Sequence, residues 1–390
     1  MTRAYDCIVV GAGPAGSTAA TQLAQDGVRV LVLEQDTLPR YKACAGAVSG
    51  RATGLLTLDF SSVVEDVIHK VKVRWANADT APIEYVSKTP IAYLVMRTSF
   101  DQLLVQEAIT AGAIIHDGEK VQAIDLQPEH VAVQTTHSTY KAATLIGADG
   151  AVGIVARQSG LYLAKSSGIA LEIEASVPPD QLAKWKNTVL VSYGIPRHGY
   201  GWLFPKSQHL SLGMGTFSPR RREFVSDFSA FTDSLGIPWE WQDLKAHPIP
   251  LGGRDRRFCL PRLLLVGDAA GLADPLSGEG IAHALHSGLV AADSVLASLD
   301  SGDFSMHSYQ TAIEQEINSN LRVAKQLSNA FYTLPKVFFH LFLTSQEILA
   351  WYFQLVQGDR DYQDVWELVR KLLKPQGLLK WREHGEYPTQ

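Results

Sequence analysis

Gly11-Ala12-Gly13-Pro14-Ala15-Gly16 has the residue types and spacing of a phosphate cradle. In a G-x-G-x-x-G run the first glycine allows a tight turn. The second lets the backbone approach a pyrophosphate, and the third lets a helix pack closely on a strand. The N–H groups at the start of such a helix attract phosphate. Glu34 follows at the distance where a carboxylate takes both hydroxyls of an unphosphorylated ribose, which favours FAD or NAD over NADP. A second stretch, Gly267-Asp268 followed by Gly278-Glu279-Gly280, supplies a carboxylate for a ribityl chain. It also supplies N–H groups that stabilise negative charge on an electron-rich ring.

These groups need particular supports. Cys7-Ile8-Val9-Val10 reads as the strand before the first turn, and Ser17–Leu23 as the helix after it, stopping at Asp26-Gly27. Val28–Glu34 reads as a second parallel strand. Leu263–Val266 reads as a strand into Gly267, and Ala284 through Leu296 as a helix after Gly280. Between them, Pro39–Ala47 is a small-residue loop holding Lys42 and Cys44. Val71–Trp75 and Ile83–Val86 alternate like antiparallel strands with one wet face. Arg97–Gln102 opens a helix, with Ser99 and Gln102 at capping-box spacing. Short strands are expected near 113–115, 131–133 and 144–146, and an alternating stretch from about Gly168 to Gly215.

The chain of 390 residues is long enough for two or three domains. With 46% apolar and 19% charged residues it is globular. A net charge of −5 gives no support for nucleic-acid binding. Cys7, Cys44 and Cys259 are odd in number and far apart, so they form neither a disulfide framework nor a metal site. That composition, with no signal peptide and no unbroken apolar span, reads as a cytoplasmic protein. The run Phe331–Leu343 and Ile348–Phe353 suit either an interfacial helix, giving peripheral membrane contact, or packing on the strand-rich region.

Three further matches join the glycine motifs: Pro39-Arg40-x-Lys42-x-Cys44, Gly199-Tyr200-Gly201-Trp202-Leu203-Phe204-Pro205-Lys206 with Gly213-x-Gly215, and Gly147-Ala148-Asp149-Gly150. Together they make the chain resemble the geranylgeranyl reductase family of FAD-dependent oxidoreductases, within the p-hydroxybenzoate hydroxylase-like superfamily. The resemblance covers about the first three quarters. It implies an α/β fold: a Rossmann-like FAD-binding domain of segments 1–70, 95–160 and 250–300, an antiparallel-sheet substrate domain of 71–94 and 161–249, and a helical region of 301–390. It implies that Glu34, Arg97 and Asp268 hold FAD. The same cofactor site would take in Gly11, Gly13, Pro14, Ala15, Gly16, Gln35, Lys42, Ala43, Cys44, Ala45, Asp149, Gly267, Gly278, Glu279, Gly280 and Ile281.

The family implies reduction of carbon–carbon double bonds in a polyprenyl chain, with NADPH or reduced ferredoxin as electron donor. Cys44, Tyr200 and Trp202 would serve the reaction, and Tyr200, Trp202, Phe204 and Pro205 would line the substrate tunnel. An isolated alkene has no carbonyl to accept electrons, so a proton must reach one carbon as hydride reaches the other. Such a site must be dry, and aromatic faces favour the developing positive charge. The same aromatics also suit plain core packing, and Cys44 a plain loop residue. Where the family usually has Cys-Gly-Gly-Gly, this chain has Cys44-Ala45-Gly46-Ala47. Two other activities share these motifs: hydroxylation by a flavin monooxygenase, and electron transfer to a quinone. The Trp-x-Trp-x-Ile-Pro signature of flavin halogenases is missing. Arg220-Arg221-Arg222 and Arg254, Arg256, Arg257 read as basic patches for an acidic partner or NADPH, or as solvated surface.

Overall fold

The computed structural model describes residues 4–76, 81–162, 167–217 and 223–372. Its central sheet runs in the order Cys259–Leu260, Leu263–Leu265, Thr139–Gly147, Ala4–Val10, Val30–Leu33, Ile114–His116. All neighbours are parallel except the first pair. Val121–Leu126 and Val131–Thr135 extend it as an antiparallel flap on Thr139–Gly147. Cys7, Ile8, Val9 and Leu31–Leu33 are buried on both faces, which is why these strands read as unbroken apolar runs.

Ala4–Val10, Thr139–Gly147 and Leu263–Leu265 are adjacent, and their carboxyl ends carry Gly11, Ala148-Asp149 and Gly267. Three turns from distant parts of the chain therefore meet where an open α/β sheet binds its ligand. The helix Pro14–Gln25 begins with Pro at its first turn and ends at Asp26 and Gly27, whose φ is +79°. It crosses the long helix Ile281–Ser301. At that crossing a Cβ on Gly288 would lie 2.5 Å from the Ala15 carbonyl oxygen, so only glycine allows the approach.

A second sheet has the order Lys245–Pro250, Ser167–Ala175, Leu210–Thr216, Gly199–Pro205, Thr188–Tyr193, Lys70–Trp75, Ile83–Val86. One face packs Leu171, Ile173, Leu203, Leu212 and Met214 against the helix Phe224–Asp233. A small third sheet joins Ala47–Ser49, Ala92–Val95 and Val64–Ile68. The helices Ser319–Thr333, Pro335–Thr344, Gln346–Gln357 and Tyr362–Leu372 follow. Phe331, Phe338, Phe339, Phe342 and Phe353 bury against Val71, Val73, Ile83 and Tyr193 of the second sheet. Among the described residues no helix is long and apolar enough to cross a membrane.

Two local expectations are corrected. The helix expected to be capped by Ser99 starts at Arg97, with Met96 at the cap position and no side-chain cap. Arg256 is not on a basic surface patch. Its guanidinium donates to the carbonyls of Ala270 (2.6 Å) and Leu161 (2.7 Å), joining the end of the short helix Gly267–Ala270 to the loop at Leu161. Arg220–Arg222 lie outside the described residues.

Candidate active site

A single cavity of about 800 Å³ runs from the first glycine turn, past the Cys44 loop, to the second sheet. Gly11, Gly13, Pro14, Ala15, Glu34, Gln35, Lys42–Ala45, Arg97, Asp149, Gly267, Asp268 and Gly278–Ile281 line it, as do Tyr200, Trp202 and Phe204. Gly16 does not. Its Cβ would lie 2.0 Å from the Gly11 carbonyl oxygen, so it serves the helix–strand approach beneath the turn. Pro205, expected in the tunnel, is not among the lining residues. Strand alternation groups it with buried Leu203, away from Tyr200, Trp202 and Phe204.

At the glycine end, Glu34 Oε2 accepts from the Ala12 N–H (3.0 Å) and Arg40 Nε (3.3 Å). The buried carboxylate of Asp101 holds two guanidiniums. Arg97 reaches it at 2.6 and 2.8 Å, and Arg40 at 2.9 Å. Burial opposes charge on Arg97, but the Asp101 carboxylate outweighs it and holds the guanidinium firmly protonated. A Cβ on Gly13 would have Arg40 Nη2 at 3.7 Å and Arg97 Nη2 at 4.0 Å. The bare backbone, two fixed cations and a helix start thus converge on one place, which suits a pyrophosphate. Asp149 adds a buried oxygen, Oδ1, without a hydrogen-bond partner among the described residues. Its other oxygen accepts from the Val155 N–H (2.9 Å), and burial pushes its carboxyl up to about 6.

At the other end, Asp268 faces the cavity with His247 Nε2 at 3.9 Å, and Lys42 Nζ lies 2.9 Å from that same nitrogen. Buried Asp274 ties the next loop, accepting from the N–H groups of Leu276 (2.7 Å) and Ser277 (2.9 Å) and from the Tyr362 hydroxyl. Gly278 has φ +74°, and the Tyr200 hydroxyl donates to the Ser277 carbonyl beside it. That hydroxyl is engaged, and burial raises its pKa far above the usual phenol range. Tyr200 thus ties the second sheet to the loop before Gly278. Glu279 is half-buried against the Ser49 hydroxyl, and desolvation pushes its carboxyl up to about 7.

The second sheet forms the wall between these ends. Its register aligns Trp202, Gly213 and Glu172 across three strands, and Tyr200, Gly215 and Ala170 next to them. The Trp202 indole lies over Gly213, where a Cβ would come within 1.9 Å of Cζ2. The Gly213-x-Gly215 pattern thus makes a trough for the ring. Gly213→Val is expected to eject the indole, destabilising the protein by about 1–3 kcal/mol from overpacking. A thermal melt together with tryptophan fluorescence checks it; a native emission maximum would count against the trough.

Sequence reasoning missed Asp101, Arg40 and Glu172. Asp101 sits one helical turn after Arg97, a pairing visible in the sequence. Glu172 lies within the alternating stretch 168–215, and its partner is far away in sequence. It is buried, and its Oε1 accepts from the Cys44 N–H (3.1 Å) and the Tyr41 hydroxyl (3.3 Å). Desolvation, then the neighbouring Glu174 charge, push the Glu172 carboxyl from 4.5 up to about 7. A carboxyl raised on folding stabilises the protein fully below its unfolded value and loses that contribution as pH rises through its folded value. Glu172 therefore withdraws up to about 3 kcal/mol between pH 4.5 and about 7. Glu172→Gln is expected to raise the melting temperature at pH 8 relative to native by more than at pH 5. Equal shifts at both pH values would contradict the assignment.

A model of the FAD binding domain matches residues 4–233. An uncharacterised protein of Methanosarcina barkeri is 32% identical over 337 residues, 86% of each chain. A digeranylgeranylglycerophospholipid reductase of Methanosarcina mazei is 25% identical over 86% of each chain. Among solved structures, a geranylgeranyl bacteriochlorophyll reductase-like protein of Thermoplasma acidophilum superposes with a TM-score of 0.75 at 24% identity, covering 86% of this chain and 89% of the other.

Proposed function

Because the chain belongs to the geranylgeranyl reductase family of FAD-dependent oxidoreductases, we propose that it saturates carbon–carbon double bonds of a polyprenyl chain. The observation that carries this reading is the apolar arm of the cavity. It is continuous with the cofactor end and walled by Ile68, Val71, Ile91, Leu94, Val189, Val191 and Phe353. A thin hydrocarbon chain suits such a lining, which offers it no polar partner to satisfy.

FAD, once reduced by the electron donor, would supply hydride, and the residues Asp268 and Gly278-Glu279-Gly280 would help hold it. The chain's own residues do the rest. Trp202 and Phe204 exclude water from the alkene and present aromatic faces to developing positive charge. Cys44, between cofactor end and apolar arm, holds the proton at Sγ for delivery to carbon. The Gly46 N–H donates to that sulfur at 3.4 Å and fixes its direction. Gly46 is the one glycine of the family's usual three that this loop keeps. Its φ is +66°, and a Cβ would meet the Val95 carbonyl oxygen at 2.0 Å. NADPH or reduced ferredoxin is proposed as electron donor, and a membrane surface as the place where substrate is met. The exposed Leu334 and Leu343 would be the contact residues.

The test is mass spectrometry of prenyl lipids, alcohols and diphosphates after incubation with dithionite-reduced protein. Gain of one hydrogen pair per saturated bond supports the proposal, and no gain with any of them sinks it. Cys44→Ser is expected to lower turnover roughly 100-fold with FAD still bound. Unchanged turnover would remove Cys44 from the reaction. Hydroxylation with oxygen uptake, in place of saturation, would support the monooxygenase reading instead.

A further inference from the structure

The Cys44 loop is gripped from two sides by buried ionisable side chains that belong to the second sheet. Glu172, on Ser167–Ala175, accepts the Cys44 N–H at 3.1 Å. Lys206, just past Gly199–Pro205, donates to the Ala45 carbonyl at 2.8 Å and the Val95 carbonyl at 2.9 Å. Lys206 is only 3% exposed and Glu172 equally so. Burying two charges is costly unless each is hydrogen-bonded. Here each bonds to backbone on either side of Cys44, in a loop that turns at Gly46. Glu174 pairs with His209 (2.7 Å) on the same part of the sheet.

We propose that Glu172 and Lys206 are positioning residues: the strands that form the substrate wall set the place and direction of the Cys44 thiol by clamping the loop that carries it. The clamp makes one rigid unit of the Trp202 trough and Cys44. Trp202 and Glu172 are aligned in register through Gly213, so a shift of the sheet moves both together. This rests on the reading of Cys44 as the group that serves the reaction, but its first readout does not.

That readout is the alkylation rate of Cys44 in the FAD-loaded protein, measured by iodoacetamide labelling and peptide mapping; Cys7 and Cys259 are buried and serve as internal controls. Glu172→Ala and Lys206→Met are each expected to change the Cys44 rate about tenfold or more while FAD absorbance is retained. Glu172→Gln keeps an oxygen for both bonds and is expected to stay within about threefold of native. If the native protein reduces a prenyl substrate, kcat should fall roughly tenfold in the first two variants with KM nearly unchanged, and recover in the glutamine variant. Alkylation rates in Glu172→Ala and Lys206→Met within about twofold of native would overturn the clamp. So would a glutamine variant as impaired as the alanine one. Should Glu172→Ala fail to hold FAD, Tyr41→Phe carries the test. It removes one of the two bonds to Glu172 and is expected to change the Cys44 rate about threefold, and no change would overturn the proposal.

Discussion

Asp101→Ala is expected to cost about 3–5 kcal/mol and to strip the protein of FAD, because it leaves two buried guanidiniums without their shared carboxylate. Arg97 and Arg40 are both directed by Asp101, which is 1% exposed. With a specific unfolding entropy applied to 390 residues, the loss is a fall in melting temperature of about 4–6 °C. The effect on cofactor is separate. Without Asp101 the guanidiniums no longer face Gly13, and the pyrophosphate loses its fixed cations. Asp101→Asn keeps an acceptor and should fall between. Calorimetry and flavin absorbance check both; an alanine variant with native melting and native FAD content would refute the arrangement.

Gly16→Ala is expected to be nearly as severe through a different cause. Its Cβ would stand 2.0 Å from the Gly11 carbonyl oxygen, 3.0 Å from Ala148 Cβ and 3.1 Å from Val9 Cγ1. The nearest atom is backbone inside the phosphate turn itself, so relief must come from moving the turn. FAD affinity should drop roughly 100-fold, about 2.7 kcal/mol. Titration of the apoprotein with FAD measures it. Gly27→Ala is the control, since no atom lies within 4 Å of its Cβ position, and any loss there reflects only its φ of +79°. Equal affinities for the two variants would show that close packing at Gly16 is not what matters.

Motifs confined to a few consecutive residues were legible. The turn Gly11–Gly16, the acidic residue Glu34 and the loop Gly278–Gly280 each combine a steric and an electrostatic demand within one segment. The structure brings them to one cavity. The trough under Trp202 was half legible: Gly213-x-Gly215 was noticed, but its reason depends on strand register. What stayed hidden spans long separations. Nothing local marks Glu172 as the partner of Cys44, since alternation says only which face it takes. Arg256 misled because a run of arginines reads as surface charge, whereas this one is spent on two carbonyls.

Phe353 and Val356, from the helix Gln346–Gln357, line the cavity, with the Phe353 ring stacked on Tyr85 at 4.7 Å. Among the described residues, the hydrogen bonds and ion pairs around the glycine turn come from other elements. On the proposed function, the space for a hydrocarbon tail is thus bounded in part by one late stretch of sequence, and the cofactor end by others. If the proposed polyprenyl substrate is correct, substitutions at Phe353 should change which chain length fits while leaving the residues at the glycine turn untouched.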